Sequence, residues 1–349
     1  MTTSGTTVIP AEATVVVRRA RRRPRRRLTL VVAGLAAALV GGFLLRVLGG
    51  DYTITFPDFL RILGGRQIPG ATFILTESKL PRAVMGLLVG LAFGTAGGIF
   101  QSTLRNPLAS PDMVGVSMGA SAAAVVGIVL LGLTGPALSV CAVVGAVLTA
   151  AAIRLAAGGD GGHRLVLVGV TAAAALLAVV QYLFTRADEY DAQLALRWLT
   201  GSLNAVDWPA IRVLGLCLVV LLPLVAAAAG RQRALELGPD VASALGVRRA
   251  HADGLLLLAV LLTALGVAAA GPVAFVAFVS GPIARALNGG RSTLLGAALV
   301  GAVVLLGADH VAAYAIPDVN LPVGVVTGAF GAPFLLWLLV GGRTGRRSS

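Results

Sequence analysis

The chain has 349 residues, 57% of them hydrophobic and only 12% charged, with a mean hydropathy of +0.91 and a formal net charge of +13. Soluble domains carry about 25% charged residues because their surfaces face water. A water-soluble enzyme or binding module is therefore excluded, and most side chains must face lipid or other helices.

Residues 1–27 form a basic N-terminal tail in which eight of the ten residues 18–27 are arginine. Such a run beside a membrane reads as an anchor on anionic lipid. A nucleic-acid arm would bring aromatic interleaving or a recognition fold, and the sequence has neither, so no nucleic-acid partner is expected. Continuous runs of Leu, Val and Ala follow, without the alternation of a barrel strand. They approach or exceed the ~20 residues that a helix needs to cross the hydrocarbon core.

The runs predict an all-α polytopic membrane protein of ten transmembrane helices, at 28–48, 79–103, 112–132, 135–155, 164–184, 208–229, 253–271, 272–288, 293–313 and 321–340. The eighth is short and interrupted by Gly281 and Pro282. The ten-helix transmembrane domain is thus 28–340, with 341–349 as a C-terminal tail. The first run is too long for a cleavable signal peptide and lacks a small-x-small site.

The first long connection, 49–78, holds Asp51, Asp58, Arg61, Arg66 and Glu77. In the second span Gly86, Gly90, Gly94 and Gly98 recur every four residues, a face of bare backbone against which another helix can pack closely. Gly115 and Gly119, and Gly324 and Gly328, predict the same for spans three and ten. Residues 186–207 are acidic and then apolar, with Trp198 and Trp208 placed as interfacial anchors. The long loop 230–253 has a helical spacing at Leu237, Val241 and Leu245 and a stop at Gly246. Spans two to five and seven to ten start on opposite sides, as an inverted repeat would.

If the N-terminus is inside, twenty of the 28 Lys and Arg residues fall on inner segments and eight on outer ones. Basic residues favour the cytoplasmic side. Ten spans with both termini cytoplasmic are therefore predicted, in a cytoplasmic (inner) membrane.

Chemistry is sparse. His163, His251 and His310 are scattered and form no metal-binding motif. Cys141 and Cys217 lie in separate spans and read as small packing residues. The one lysine, Lys79, sits in Ser-Lys-Leu rather than in a P-loop, so the chain has no ATP site of its own. Asp309 is the main ionisable residue inside a span, a functional candidate or a helix-end hydrogen-bond partner. One acid is poor material for a proton relay, which counts against a secondary transporter. An intramembrane enzyme would need a nucleophile–base pair or a metal set. No catalytic, cofactor or metal residue is expected.

Three blocks of sequence carry the functional signal. Residues 80–120 run Leu-Pro-Arg, a Gly-rich span, Gln101, Asn106-Pro107-Leu108-Ala109, Pro111, then Gly115-x-Ser-x-Gly-Ala. Residues 235–247 read LELGPDVASALGV. The C-terminal part contains AAAGPVAFVAFVSGPIARAL, GADH and LPVGVVTGAFGAPFLLWLL. Together, over about 50–340, they resemble the iron-chelate and vitamin B12 ABC permease family, FecCD type.

The resemblance implies a type II importer fold. It also implies these partners: a second permease subunit, two ABC ATPase subunits that bind ATP and Mg, and an extracytoplasmic binding protein. The implied cargo is a ferric siderophore, with cobalamin or haem as the alternative. It places ATPase coupling at Leu237, Gly238, Ala242, Leu245 and Gly246, within 230–253. Binding-protein docking falls to Lys79 and Arg82, and a cytoplasmic gate to Asn106, Leu108, Gly162 and His163. The chain departs from the family pattern at Gly281-Pro282, at Asn320 before Leu321-Pro322, and at Ala313, where a basic residue is usual. These departures suggest the divergent member of an unlike pair.

Overall fold

The computed structural model describes residues 11–158, 162–204, 206–316 and 319–344. The first ten residues and the end of the C-terminal tail lie outside them, as does the side chain of His163. All regular structure among the described residues is helical. Seven helices are long and apolar enough to cross a membrane. In the order of the predicted spans they are α1 (Ala11–Leu48), the unit Ala71–Thr103, α6 (Gly135–Ala157), α7 (His163–Phe184), α9 (Trp208–Glu236), α11 (Arg249–Ala270) and α13 (Leu294–Tyr314).

The other three predicted spans fold as shorter apolar stretches: α5 (Val116–Leu131), α12 (Val276–Leu287) and Val323–Leu338 of α14 (Val323–Thr344). At 1.5 Å per residue, the 12 residues of α12 rise only about 18 Å, well short of the ~30 Å core. Its N-terminal connection, 271–275, is irregular backbone, which survives in a membrane only when protein or water satisfies it. Here protein does so. The Gly271 N–H donates to Val267 O at 2.7 Å, and Ala274 O and Phe275 O accept from the Val276 and Val279 N–H groups, both at 2.9 Å. Phe275 closes the turn at φ 66° and sets its ring edge-on to Phe278.

The unit Ala71–Thr103 is not uniform. A short α3 (Ala71–Phe73) passes into a π-helical turn (Ile74–Lys79) and then into α4 (Leu80–Thr103). The Trp208 indole N–H donates to Thr76 O in that turn at 2.9 Å. Before it, α2 (Phe56–Leu63) is an amphipathic helix outside the spans that buries Phe59 and Ile62. Its N-cap Thr55 hydrogen-bonds Asp58 and holds that carboxyl below its usual range.

The central helix is α4, packed against α13, α11, α12 and α9. Its glycines explain this position. A Cβ on Gly90 would meet the Ala302 and Gly301 backbone, one on Gly94 the Ala297 carbonyl, and one on Gly97 the Ala277 carbonyl. The predicted α4 stripe is therefore the α4–α13 contact. Gly119 packs in the same way on Thr149 of α6, and Gly324 on Thr200 O. Gly328 has nothing within 4 Å, so the predicted face of span ten rests on Gly324 without it.

Two further sequence readings gain detail. The arginine-rich segment and the first span share one helix, α1, which continues without a break from Ala11 through Leu48. Cys141 packs as predicted, with Sγ 3.3 Å from Ala123 O.

Candidate functional site

Two polar regions lie at opposite ends of the bundle. The first is at the end away from the N-terminal arginines. Asp309, late in α13, is fully buried and is shared by two guanidiniums. Arg46, in the last turn of α1, donates Nε to Asp309 Oδ2 at 2.6 Å and Nη1 to the Tyr314 hydroxyl at 3.2 Å. Arg82, in the first turn of α4, donates Nε to Asp309 Oδ1 and Oδ2 at 2.8 and 3.0 Å. Its Nη1 donates to Asn320 Oδ1 at 3.2 Å. Lys79 donates to Gly49 O and Tyr52 O, both at 2.6 Å.

This geometry holds the expected docking pair, Lys79 and Arg82, away from the rim. A docking pair at a rim needs accessible charge, whereas these residues are 6% and 7% exposed and turned inward. It also answers the question left by Asp309. Its partners are two arginines rather than a backbone or hydroxyl group. Asn320, where the family resemblance leads one to expect a carboxylate, supplies an amide oxygen to Arg82. Two guanidiniums thus face one carboxylate in a buried cluster that ties α1, α4 and α13 together, with Lys79 held beside it on backbone carbonyls. Arg46 was not singled out in the sequence. Its signal is a lone arginine ending an apolar run.

The second region is at the arginine-rich end, marked by Arg27 Nε donating to Leu287 O at 3.1 Å. There α4 ends in a tight turn. Arg105 takes φ 49°, a left-handed conformation that costs a non-glycine residue about 1–3 kcal/mol. The Arg105 N–H donates to Ser102 O and the Asn106 N–H to Gln101 O. The Asn106 side chain accepts from the Leu108 N–H at 2.9 Å. Asn106 and Leu108 therefore belong to one rigid turn. Gly162, at φ 79°, faces the same turn, 4.0 Å from Leu104 O to the position of a Cβ. The structure brings these three gate candidates together.

The coupling segment is beside them. α10 (Pro239–Ala244) is only six residues long, shorter than the predicted spacing. It opens at Gly238 with φ 107° and is closed by Gly246 with φ 78°. Leu237, Val241 and Leu245 are about half or more exposed, at 62%, 46% and 62%. Ala242, at 1%, is packed inward, and Gly238 is buried as well. Of the five predicted contact residues, Leu237, Leu245 and Gly246 face outward, while Gly238 and Ala242 support the segment from within.

A polar cavity of about 230 Å3 separates α4, α9 and α12 at this end, lined by Gln101, Ser102, Arg105, Glu236, Arg285 and Ser292 among others. Gln101 donates to Phe278 O at 2.8 Å, and Gln232 donates to the Ser102 hydroxyl at 2.5 Å. A Cβ on Gly281 would collide with Gln101 Oε1, so this departure from the family pattern makes room for the Gln101 amide.

Apolar helices, three of them short, around a glycine-packed centre make a membrane-spanning bundle, and comparison with known proteins gives its family. Residues 31–341 match the FecCD transport family. The chain is 38% identical to the ferric enterobactin transport system permease protein FepG of Escherichia coli K12, over 83% of this chain and 89% of that one. It is also 38% identical to the Fe(3+) dicitrate transport system permease protein FecD of the same strain, over 77% and 85%. Against the vitamin B12 import system permease protein BtuC of Salmonella newport it is 33% identical, over 85% and 90%. Its fold matches a metal-chelate type ABC transporter in an inward-facing conformation, with a TM-score of 0.78 at 24% identity, covering 90% of this chain and 99% of that one. This chain belongs to the FecCD transport family.

Proposed function

We propose that the chain is one permease subunit of an ABC importer that carries a ferric siderophore across the cytoplasmic membrane. The observation that carries this reading is the exposed apolar face of α10 beside the Arg105–Leu108 turn. A short helix offering Leu237, Val241 and Leu245 fits a groove on a partner through spaced apolar anchors. In this reading the partner is an ATPase subunit, which binds ATP and Mg and drives the turn holding Asn106 and Leu108, opposite Gly162 and His163. A second permease subunit and a binding protein complete the assembly. The permease identities of 38% for iron-chelate systems, against 33% for a vitamin B12 system, favour an iron chelate as cargo.

The same reading counts ten crossings, with α5, α12 and α14 completing seven longer helices, and puts both termini in the cytoplasm. Tyr190, 77% exposed in α8 (Glu189–Leu199), then faces outward. A Tyr190→Cys variant is expected to react with an impermeant maleimide in intact cells. Reaction only after permeabilisation refutes the orientation. Docking of an acidic binding protein on Lys79 and Arg82 requires the Asp309 cluster to open, the incoming acid replacing Asp309.

Loss of the subunit is expected to abolish uptake of radiolabelled ferric siderophore, and Leu237→Asp with Leu245→Asp is expected to leave it abolished while the protein still reaches the membrane. Retained iron-chelate uptake with lost cobalamin uptake assigns the cargo to cobalamin instead.

A further inference from the structure

We propose that Arg105 is the positioning residue that passes movement of the coupling segment to the gate turn. The inference rests on the reading that α10 docks the ATPase and that Leu108 belongs to the gate. Two independent features of the structure converge on this residue.

The first is its backbone. Among the described residues, Arg105 and Phe275 alone combine a side chain with a left-handed φ. Glycine adopts that conformation freely, and asparagine does so more readily than arginine. A turn that needed nothing but its shape would be better served by either, so the side chain is what the position supplies.

The second is where that side chain goes. Arg105 Nη1 stands 3.4 Å from the place a Cβ on Gly238 would occupy. Gly238 opens α10, and its carbonyl accepts the Ala242 N–H at 2.9 Å. One end of Arg105 is thus fixed in the gate turn, and the other lies against the hinge of the coupling helix. Arg105 forms no ion pair among the described residues. Arg105 lines the 230 Å3 cavity together with Glu236, the last residue of α9 before α10. That space lets the side chain follow α10 as it shifts.

The mechanical path is short: a packing contact between Gly238 and the guanidinium, then a hydrogen-bonded turn. Displacement of Gly238 moves the guanidinium and so the Arg105 backbone. Asn106 follows, and its side-chain oxygen holds the Leu108 N–H. On the other side the turn is anchored to the end of α4 through Ser102 O and Gln101 O. Residues 105–108 therefore pivot on α4 as one piece.

The test uses the whole complex with its ATPase in proteoliposomes and a Leu108→Cys reporter. The rate of maleimide labelling is measured with and without ATP and Mg. With Arg105 present, ATP is expected to change the rate by about fivefold or more, the lower end of typical coupling between sites. Arg105→Gly and Arg105→Asn are expected to reduce that response to near unity while ATP hydrolysis continues and thermal melting stays level or rises. Arg105→Lys is expected to recover part of the response. Full response in both the Gly and Asn variants reduces Arg105 to a turn residue and overturns the relay alone. No response to ATP in the reporter that retains Arg105 instead overturns the ATPase-driven reading of the chain, and the relay with it.

Discussion

Replacing Asp309 by asparagine is expected to cost the folded protein about 3–5 kcal/mol, because removing one partner leaves buried charge without compensation. The variant keeps the shape of the side chain and loses its charge. Arg46 and Arg82, 3% and 7% exposed, then face each other across a neutral amide. Melting of the purified protein in detergent measures the loss. The complementary variant removes all three charges: Arg46→Met, Arg82→Leu and Asp309→Leu together. Replacing a buried ionic group by apolar residues of similar size is often neutral or stabilising, so the triple variant is expected to recover most of the melting temperature that the single one loses. If Asp309→Asn melts with the wild type, the cluster is not what holds α1 to the bundle.

The second large effect is expected at the centre. Gly94→Leu places a side chain where the Ala297 carbonyl of α13 already lies. The obstacle is backbone, so no rotamer change relieves it, and the helices must separate along their contact. Overpacking of this kind costs about 1–3 kcal/mol and occasionally more. Here it also disrupts the neighbouring Gly90–Ala302 and Gly98–Ala297 contacts. The expected outcome is little folded protein in size-exclusion chromatography of detergent extracts. Gly328→Ala in α14 is the control, since its Cβ meets nothing within 4 Å. Equal yields of the two variants refute the close-packing account.

These two sites differ in how far the sequence disclosed them. The Gly86–Gly98 spacing is local, repeated every four residues on one helix, and small-residue faces have a physical meaning in lipid without further information. The Asp309 cluster is non-local: its arginines are 263 and 227 residues away in sequence. Lys79 and Arg82 are implied as a docking pair by the family resemblance, at the start of the second span. Nothing in the linear order could show that this span begins after a π-helical turn that directs them inward. The resemblance pointed to the coupling segment and the gate turn, and the local stop at Gly246 marked where α10 closes. Which of its residues face outward could not be read, because a six-residue helix is too short for its period to separate Ala242 from Leu245. The shortness of α12 was half legible, through Gly281 and Pro282.

The Arg46–Asp309 pair also has a history during synthesis. Its two halves are separated by 263 residues, and chains grow at about 5–20 residues per second, so the arginine waits roughly 13–50 s for its carboxylate. Throughout that interval Arg46 is a cation near the end of a helix in lipid, without its carboxylate. A guanidinium there is tolerable only if its long side chain can reach the headgroups. Its position in the last turn of α1, two residues before the helix stops at Leu48, meets that need. Moved one or two turns deeper, the same arginine could still find Asp309 in the finished fold, but the nascent helix would insert poorly long before its partner was made.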